Sequence, residues 1–101
     1  MKKLKYRFTE KDFKRWLRST RGTFFQFHSC RCPVAKFLVA TGFRNASVCM
    51  DTYARYGKHG SIESRTKTPE WARNIIRQFD YFKHPDERNW LSSKEARELL
   101  L

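Results

Sequence analysis

Residues 28–32, His-Ser-Cys-Arg-Cys, place one histidine and two of the chain's three cysteines within five positions, directly before a proline and an apolar run. Together with the distant Cys49, His28, Cys30 and Cys32 carry the nitrogen and sulfur atoms of a tetrahedral zinc site. The spacing argues against one. Structural zinc draws on ligand pairs separated by two to four residues, whereas a Cys-x-Cys at a strand-to-helix junction lacks the usual second pair. The same residues also suggest thiol chemistry, because Cys32 stands at a helix start, where the helix dipole favours the thiolate. A nucleophile needs a base within reach and a group to orient that base, and His28, His59 and His84 have no recognisable setting for either. The ten acids are scattered among twenty-two basic residues, and no Gly-rich phosphate loop is present. The expectation is therefore no catalytic residue, no cofactor and no metal, with Cys30 and Cys32 packed as small buried apolar side chains at a turn.

Charge carries the stronger signal. The chain bears a formal net charge of +12 over 101 residues, all of it within residues 1–67, because residues 68–101 hold six basic and six acidic side chains. Lys11, Lys14, Arg15 and Arg18 recur at the spacing of one helix face, with Lys2, Lys3, Lys5 and Arg7 before them and Arg21 after. Phe13, Trp16 and Leu17 fall on the opposite side. Cations gathered this densely repel one another beyond what solubility requires, and they are the electrostatic footprint of an anionic partner. A second group, Tyr53, Arg55, Tyr56 and Lys58, mixes rings able to stack on bases with cations able to meet phosphate. No DNA-reading motif, RNP aromatic motif or GxxG loop is present, so phosphate contact without sequence preference is expected.

The elements that would hold these residues are legible in outline. Thr9 is a natural N-cap, Glu10 and Asp12 suit the first turn, and Phe8 and Phe13 fall at hydrophobic-staple positions, so a first helix is expected from Glu10 to about Thr20, ending at Gly22. Residues 23–29, Thr-Phe-Phe-Gln-Phe-His-Ser, read as a buried strand. Pro33 opens a short helix that Gly42 stops. Residues 46–66 read as two strands around the Gly57–Gly60 turn. The Val48/Met50/Thr52/Ala54 face is expected to be buried and the tip to display Arg55, Tyr56, Lys58 and His59. Thr68 and Pro69 begin a third helix with Trp71, Ala72, Ile75, Ile76, Phe79 and Phe82 along its apolar face, and Ser92-Ser93-Lys94-Glu95 is a capping box for a last helix burying Ala96, Leu99 and Leu100. The expected fold is one α+β domain over residues 1–101, a small antiparallel sheet packed against about four helices. The basic N-terminus has no apolar core of a signal peptide and the chain has no membrane-length apolar stretch, so a cytoplasmic protein without a membrane partner is expected.

In order, Cys-Pro-Val-Ala-Lys-Phe-Leu (32–38), Ala-Ser-Val-Cys-Met (46–50), Pro-Glu-Trp-Ala-Arg-Asn-Ile-Ile-Arg-Gln-Phe-Asp (69–80) and Ser-Ser-Lys-Glu-Ala-Arg-Glu-Leu-Leu (92–100) resemble a set of small, mostly uncharacterised proteins of bacteriophages and mobile elements, including inhibitors of the anti-CRISPR type. That resemblance implies an accessory protein that acts in the host cell cytoplasm by binding and disabling host machinery. With the charge pattern, the leading expectation is a non-enzymatic protein that binds nucleic acid, a host nucleoprotein complex or an acidic protein surface, inhibiting a host defence nuclease. The alternatives are a direct DNA- or RNA-binding protein with an architectural or regulatory role, and a zinc- or thiol-dependent enzyme built on His28, Cys30 and Cys32. The sequence sets no oligomeric state.

Overall fold

Thr9 holds an extended backbone and its hydroxyl accepts the Asp12 amide N–H, so helix α1 (Glu10–Ser19) starts where a side-chain oxygen satisfies an otherwise unpaired donor. Its far end is closed from outside. The Arg97 guanidinium donates to the Leu17 and Thr20 carbonyls at 3.3 and 3.0 Å, a cation placed at the negative end of the helix dipole. In this computed structural model residues 6–42, 45–56 and 62–101 are described. The expected 57–60 turn, with Lys58 and His59, lies outside the described residues, as do Lys2, Lys3 and Lys5.

The chain continues through β1 (Thr23–Phe25), α2 (Pro33–Ala40), β2 (Asn45–Val48), β3 (Thr52–Tyr56), β4 (Ile62–Lys67), α3 (Glu70–Asp80), β5 (Trp90–Ser92) and α4 (Ser93–Leu100). The class is α+β, with four helices and two small antiparallel sheets among the described residues rather than one. β2, β3 and β4 form a meander, and β1 pairs with β5 in the register Phe24 opposite Leu91. β5 has no counterpart in the sequence pattern, since three residues running straight into a capping box are too short to show a strand period.

The stretch expected as a single strand between residue 46 and the Gly57–Gly60 turn folds back on itself. A tight turn at residues 49–51 separates β2 from β3, closed by the Cys49 N–H donating to the Thr52 carbonyl at 3.0 Å. Thr68, expected as the side-chain cap of α3, serves this turn instead. Its N–H donates to the Asp51 carbonyl at 2.9 Å and its hydroxyl to the Cys49 carbonyl at 2.8 Å, which leaves Pro69 as N-cap with no side-chain bond. The turn also changes which side chains are covered: Ala46, Val48, Tyr53 and Ala54 are buried, and Met50 is half-buried.

The core is chiefly aromatic. Phe13, Phe24, Phe37 and Phe79 are fully buried with Leu17, Val34, Leu38 and Leu91. Phe8 and Phe13 meet through shared neighbours: Phe8 lies 5.1 Å and Phe13 5.8 Å from Trp71 between ring centroids, and both flank Phe37. From α3, Ala72, Ile75, Ile76 and Phe79 are buried, with Trp71 and Phe82 half-buried. The capping box of α4 forms as expected, with Ser92 accepting the Glu95 N–H and Glu95 accepting the Ser92 N–H. Ala96 and Leu100 are buried there and Leu99 is half-buried. Among the described residues no helix is long and apolar enough to cross a membrane.

Candidate nucleic-acid interface

The opening stretch is a helix entrance. Cys32 is the N-cap of α2, its sulfur accepting the Ala35 N–H at 3.4 Å, with Pro33 at the first helical position. β1 ends at Phe25, four residues short of the strand expected from the sequence, because Phe27 takes a left-handed backbone (φ 53°) and turns the chain. His28 then holds the turn. Its Nδ1 accepts the Cys30 and Arg31 N–H groups at 3.2 and 3.1 Å, so the imidazole serves as a backbone acceptor with that nitrogen already engaged.

The thiol chemistry suggested by the helix start is reversed by burial. Cys32 is 3% exposed, and desolvation pushes its thiol up to about 11, with the nearby Asp80 charge adding to the rise and the α2 backbone N–H groups opposing it. A thiol held protonated is no nucleophile at neutral pH. Cys30, expected to be buried beside Cys32, is exposed instead, because it lies in the His28 turn ahead of α2 and only Cys32 is carried into the core; Cys49 is exposed as well. His28, Cys32 and Cys49 border one recess of about 180 Å³ with Asp80, yet among the described residues no three such side chains converge as metal ligands.

The two faces of α1 separate as the periodicity requires. Phe13, Trp16 and Leu17 are buried, Phe13 against Phe37 of α2 and Trp71 of α3 and Trp16 against Phe37, while Lys11, Arg15 and Arg18 are exposed and Lys14 is half-buried. Arg21 and Arg7 continue the exposed cationic surface at either end. Within the stripe Arg15 stands apart: it sits 4.8 Å above the Tyr6 ring and 3.5 Å from the Asp12 carboxylate, which also accepts the Arg7 N–H at 2.8 Å. Lys11, Lys14, Arg18 and Arg21 form no ion pair with any described residue. The stripe thus combines uncommitted cations with one arginine already leaning on a carboxylate.

The chain matches no family model, no curated protein and no solved structure.

The second basic group is only partly brought to the surface. Tyr53 is 6% exposed and packs on Phe8 at 4.9 Å, so it serves the core and offers no face for stacking. Ala54, on the other face of β3, is buried as well. Arg55 and Tyr56 lie on β3 next to a register shift; their side chains, like Lys58, fall outside the described part of the structure. Three exposed aromatic residues among those described have no place in the sequence pattern, and one of them, Trp90, is covered on one face by the Arg88 guanidinium at 4.2 Å. Phe27 and Tyr81 are 68% and 72% exposed, and their rings meet edge to face at 5.4 Å. Phe27 reads as part of a strand that ends two residues earlier, and Tyr81 lies just past the end of α3, off its apolar face. The one signal for them is the surplus of aromatic residues over positions able to bury them.

Proposed function

We propose that this protein is a non-enzymatic, phage-type accessory protein that grips nucleic acid, alone or within a nucleoprotein complex, through the cationic face of α1, and thereby inhibits a host defence nuclease in the cytoplasm. One observation carries the reading. α1 is anchored by Phe13, Trp16 and Leu17, so Lys11, Lys14 and Arg18 point away from the core with no described acidic partner to neutralise them. An uncompensated basic surface attracts polyanions over a Debye length and binds phosphate by releasing counterions. The burial of Cys32 and the use of His28 as a turn acceptor support a binding role over thiol or zinc catalysis.

The test is a double charge reversal, Lys14→Glu with Arg18→Glu, with binding of labelled DNA and RNA followed by fluorescence anisotropy over a salt series. Surface substitutions of this kind shift stability by about ±0.5 kcal/mol, so the melting temperature should hold while affinity is lost. The unreversed protein should lose affinity steeply as salt rises. A folded double variant with undiminished affinity would remove the α1 face from the mechanism. Inhibition is read separately, as target cleavage by a CRISPR effector nuclease with and without the protein. Nucleic-acid binding without inhibition would favour the architectural or regulatory role.

A further inference from the structure

A second surface, sharing no residue with the α1 stripe, is built where α3 ends. Phe27 and Tyr81 border a recess of about 650 Å³, which falls within the roughly 300–1,000 Å³ typical of small-molecule sites. Phe82, Lys83, Gln26 and Asn89 complete the part of the lining that bears on its chemistry. Exposed apolar surface that is contiguous rather than scattered marks contact sites, and here two large aromatic side chains sit edge to face with their outer faces open.

The wall behind the rings is tied together by hydrogen bonds from Gln26. The Gln26 side-chain amide donates to the Phe79 and Phe82 carbonyls at 2.8 and 2.6 Å, closing the C-terminal end of α3, and the Gln26 backbone N–H donates to the Asn89 carbonyl at 2.8 Å. With both amide hydrogens engaged, the Gln26 side-chain oxygen is left as an acceptor with no hydrogen bond among the described residues. Phe27 itself is held in the left-handed region, where a bulky side chain is a rare outlier, by its N–H donating to the Asp80 carboxylate at 2.9 Å. The other non-glycine residue with positive φ among the described residues, Glu87, lines the same recess. Backbone conformations this costly persist where the surrounding structure imposes them, and they gather at binding sites. The charges around the recess are mixed: Asp80 is committed to the Phe27 N–H and Arg88 to Glu95, leaving Lys83 and Glu87 at the edge.

We propose that this recess takes an unpaired nucleobase of single-stranded nucleic acid, stacked on the Phe27 or Tyr81 ring, with Lys83 beside it for the flanking phosphate. The proposal rests on the nucleic-acid reading of the α1 face and adds to it a preference for single strands. Flat aromatic rings with amide groups alongside suit a base, which has a π-face and polar edges. The +12 charge, carried by residues 1–67, draws the strand to the protein, while at the recess, whose own charges are balanced, stacking rather than charge holds the base.

The experiment compares a short oligothymidylate with a duplex of equal length, by anisotropy, for the native chain and for Phe27→Gly combined with Tyr81→Ala. Glycine adopts the left-handed backbone freely, so the variant keeps the turn, and its thermal melt verifies the fold. The expected result is a loss of about tenfold or more for the single strand, in line with the worth of base–aromatic stacking, with duplex affinity unchanged. Unchanged single-strand affinity, or equal losses on both polymers, would overturn the proposal while leaving the α1 reading in place. Retained oligothymidylate binding with lost nuclease inhibition would assign the rings to a protein surface and also overturn it. Should the native chain bind neither polymer, the α1 reading fails. Thymidine monophosphate titrated against the native chain then decides the recess: amide NMR shifts confined to residues 26–27 and 80–83 sustain it, and their absence overturns it.

Discussion

Cys32 gives a sharp test of whether the fold or local helix chemistry governs the opening motif. The dipole of α2 alone would lower its thiol below the ordinary value, but burial raises it from 9.0 to about 11. A group whose folded-state pKa is raised stabilises the fold fully below its unfolded value, and that stabilisation is lost as pH climbs towards the folded one. The window is therefore about pH 9 to 11. Each tenfold gain in proton affinity is worth about 1.4 kcal/mol, so the fold should lose on the order of 1 kcal/mol by about pH 10 and about 2–3 kcal/mol above about pH 11. Cys32→Ser keeps an oxygen to accept the Ala35 N–H and has no proton to lose in this range, so the difference in pH slope between the two proteins isolates the thiol from tyrosines and lysines. Urea unfolding with reductant present, across this pH range, measures that difference. Alkylation with iodoacetamide at about pH 8, read by mass spectrometry, should modify Cys30 and Cys49 and spare Cys32 in the folded protein. Parallel pH slopes for the native chain and Cys32→Ser, or alkylation of Cys32 at the rate of Cys30, would show that burial does not hold the Cys32 thiol protonated.

Trp71→Ala should destabilise by about 2–4 kcal/mol, towards the lower part of the range for large aromatics because the ring is only half-buried, and a melt unchanged within error would show that Phe8 and Phe13 do not depend on it. Ser92→Ala should cost about 1 kcal/mol by opening the capping box of α4, measured by chemical denaturation. Glu95 is held down to about 2, chiefly by the Ser92 N–H and then by His84, the Ser92 hydroxyl and Arg88. Its depressed pKa stabilises the fold above about pH 4.5, a contribution that fades as pH falls towards 2, so Glu95→Gln should flatten the acid limb of the stability curve and an unaltered limb would count against the network.

Local signals are enough for the helices and for the polarity of α1. Thr9, Pro33, Gly42 and the Ser92–Glu95 box mark helix ends through hydrogen bonds and backbone preferences that reach no further than four residues, so they are written in adjacent positions. The split of α1 into Phe13, Trp16 and Leu17 against Lys11, Lys14 and Arg18 follows from a 3.6-residue period and needs only a core to face. What required the tertiary structure was every choice between distant competitors. β5 exists because β1 offers it a partner, the turn at residues 49–51 carries no glycine or proline and closes through Thr68 from the far end of β4, and Tyr53 is buried because Phe8 reaches it from before α1. Cys32 turned on the same contest: its position in sequence places it at a helix dipole, but the dense packing around α2 removes the water a thiolate requires, and desolvation outweighs the dipole. Phe27 and Tyr81, far apart in sequence, become one exposed pair only because Gln26 and Asp80 tie the end of β1 to the end of α3.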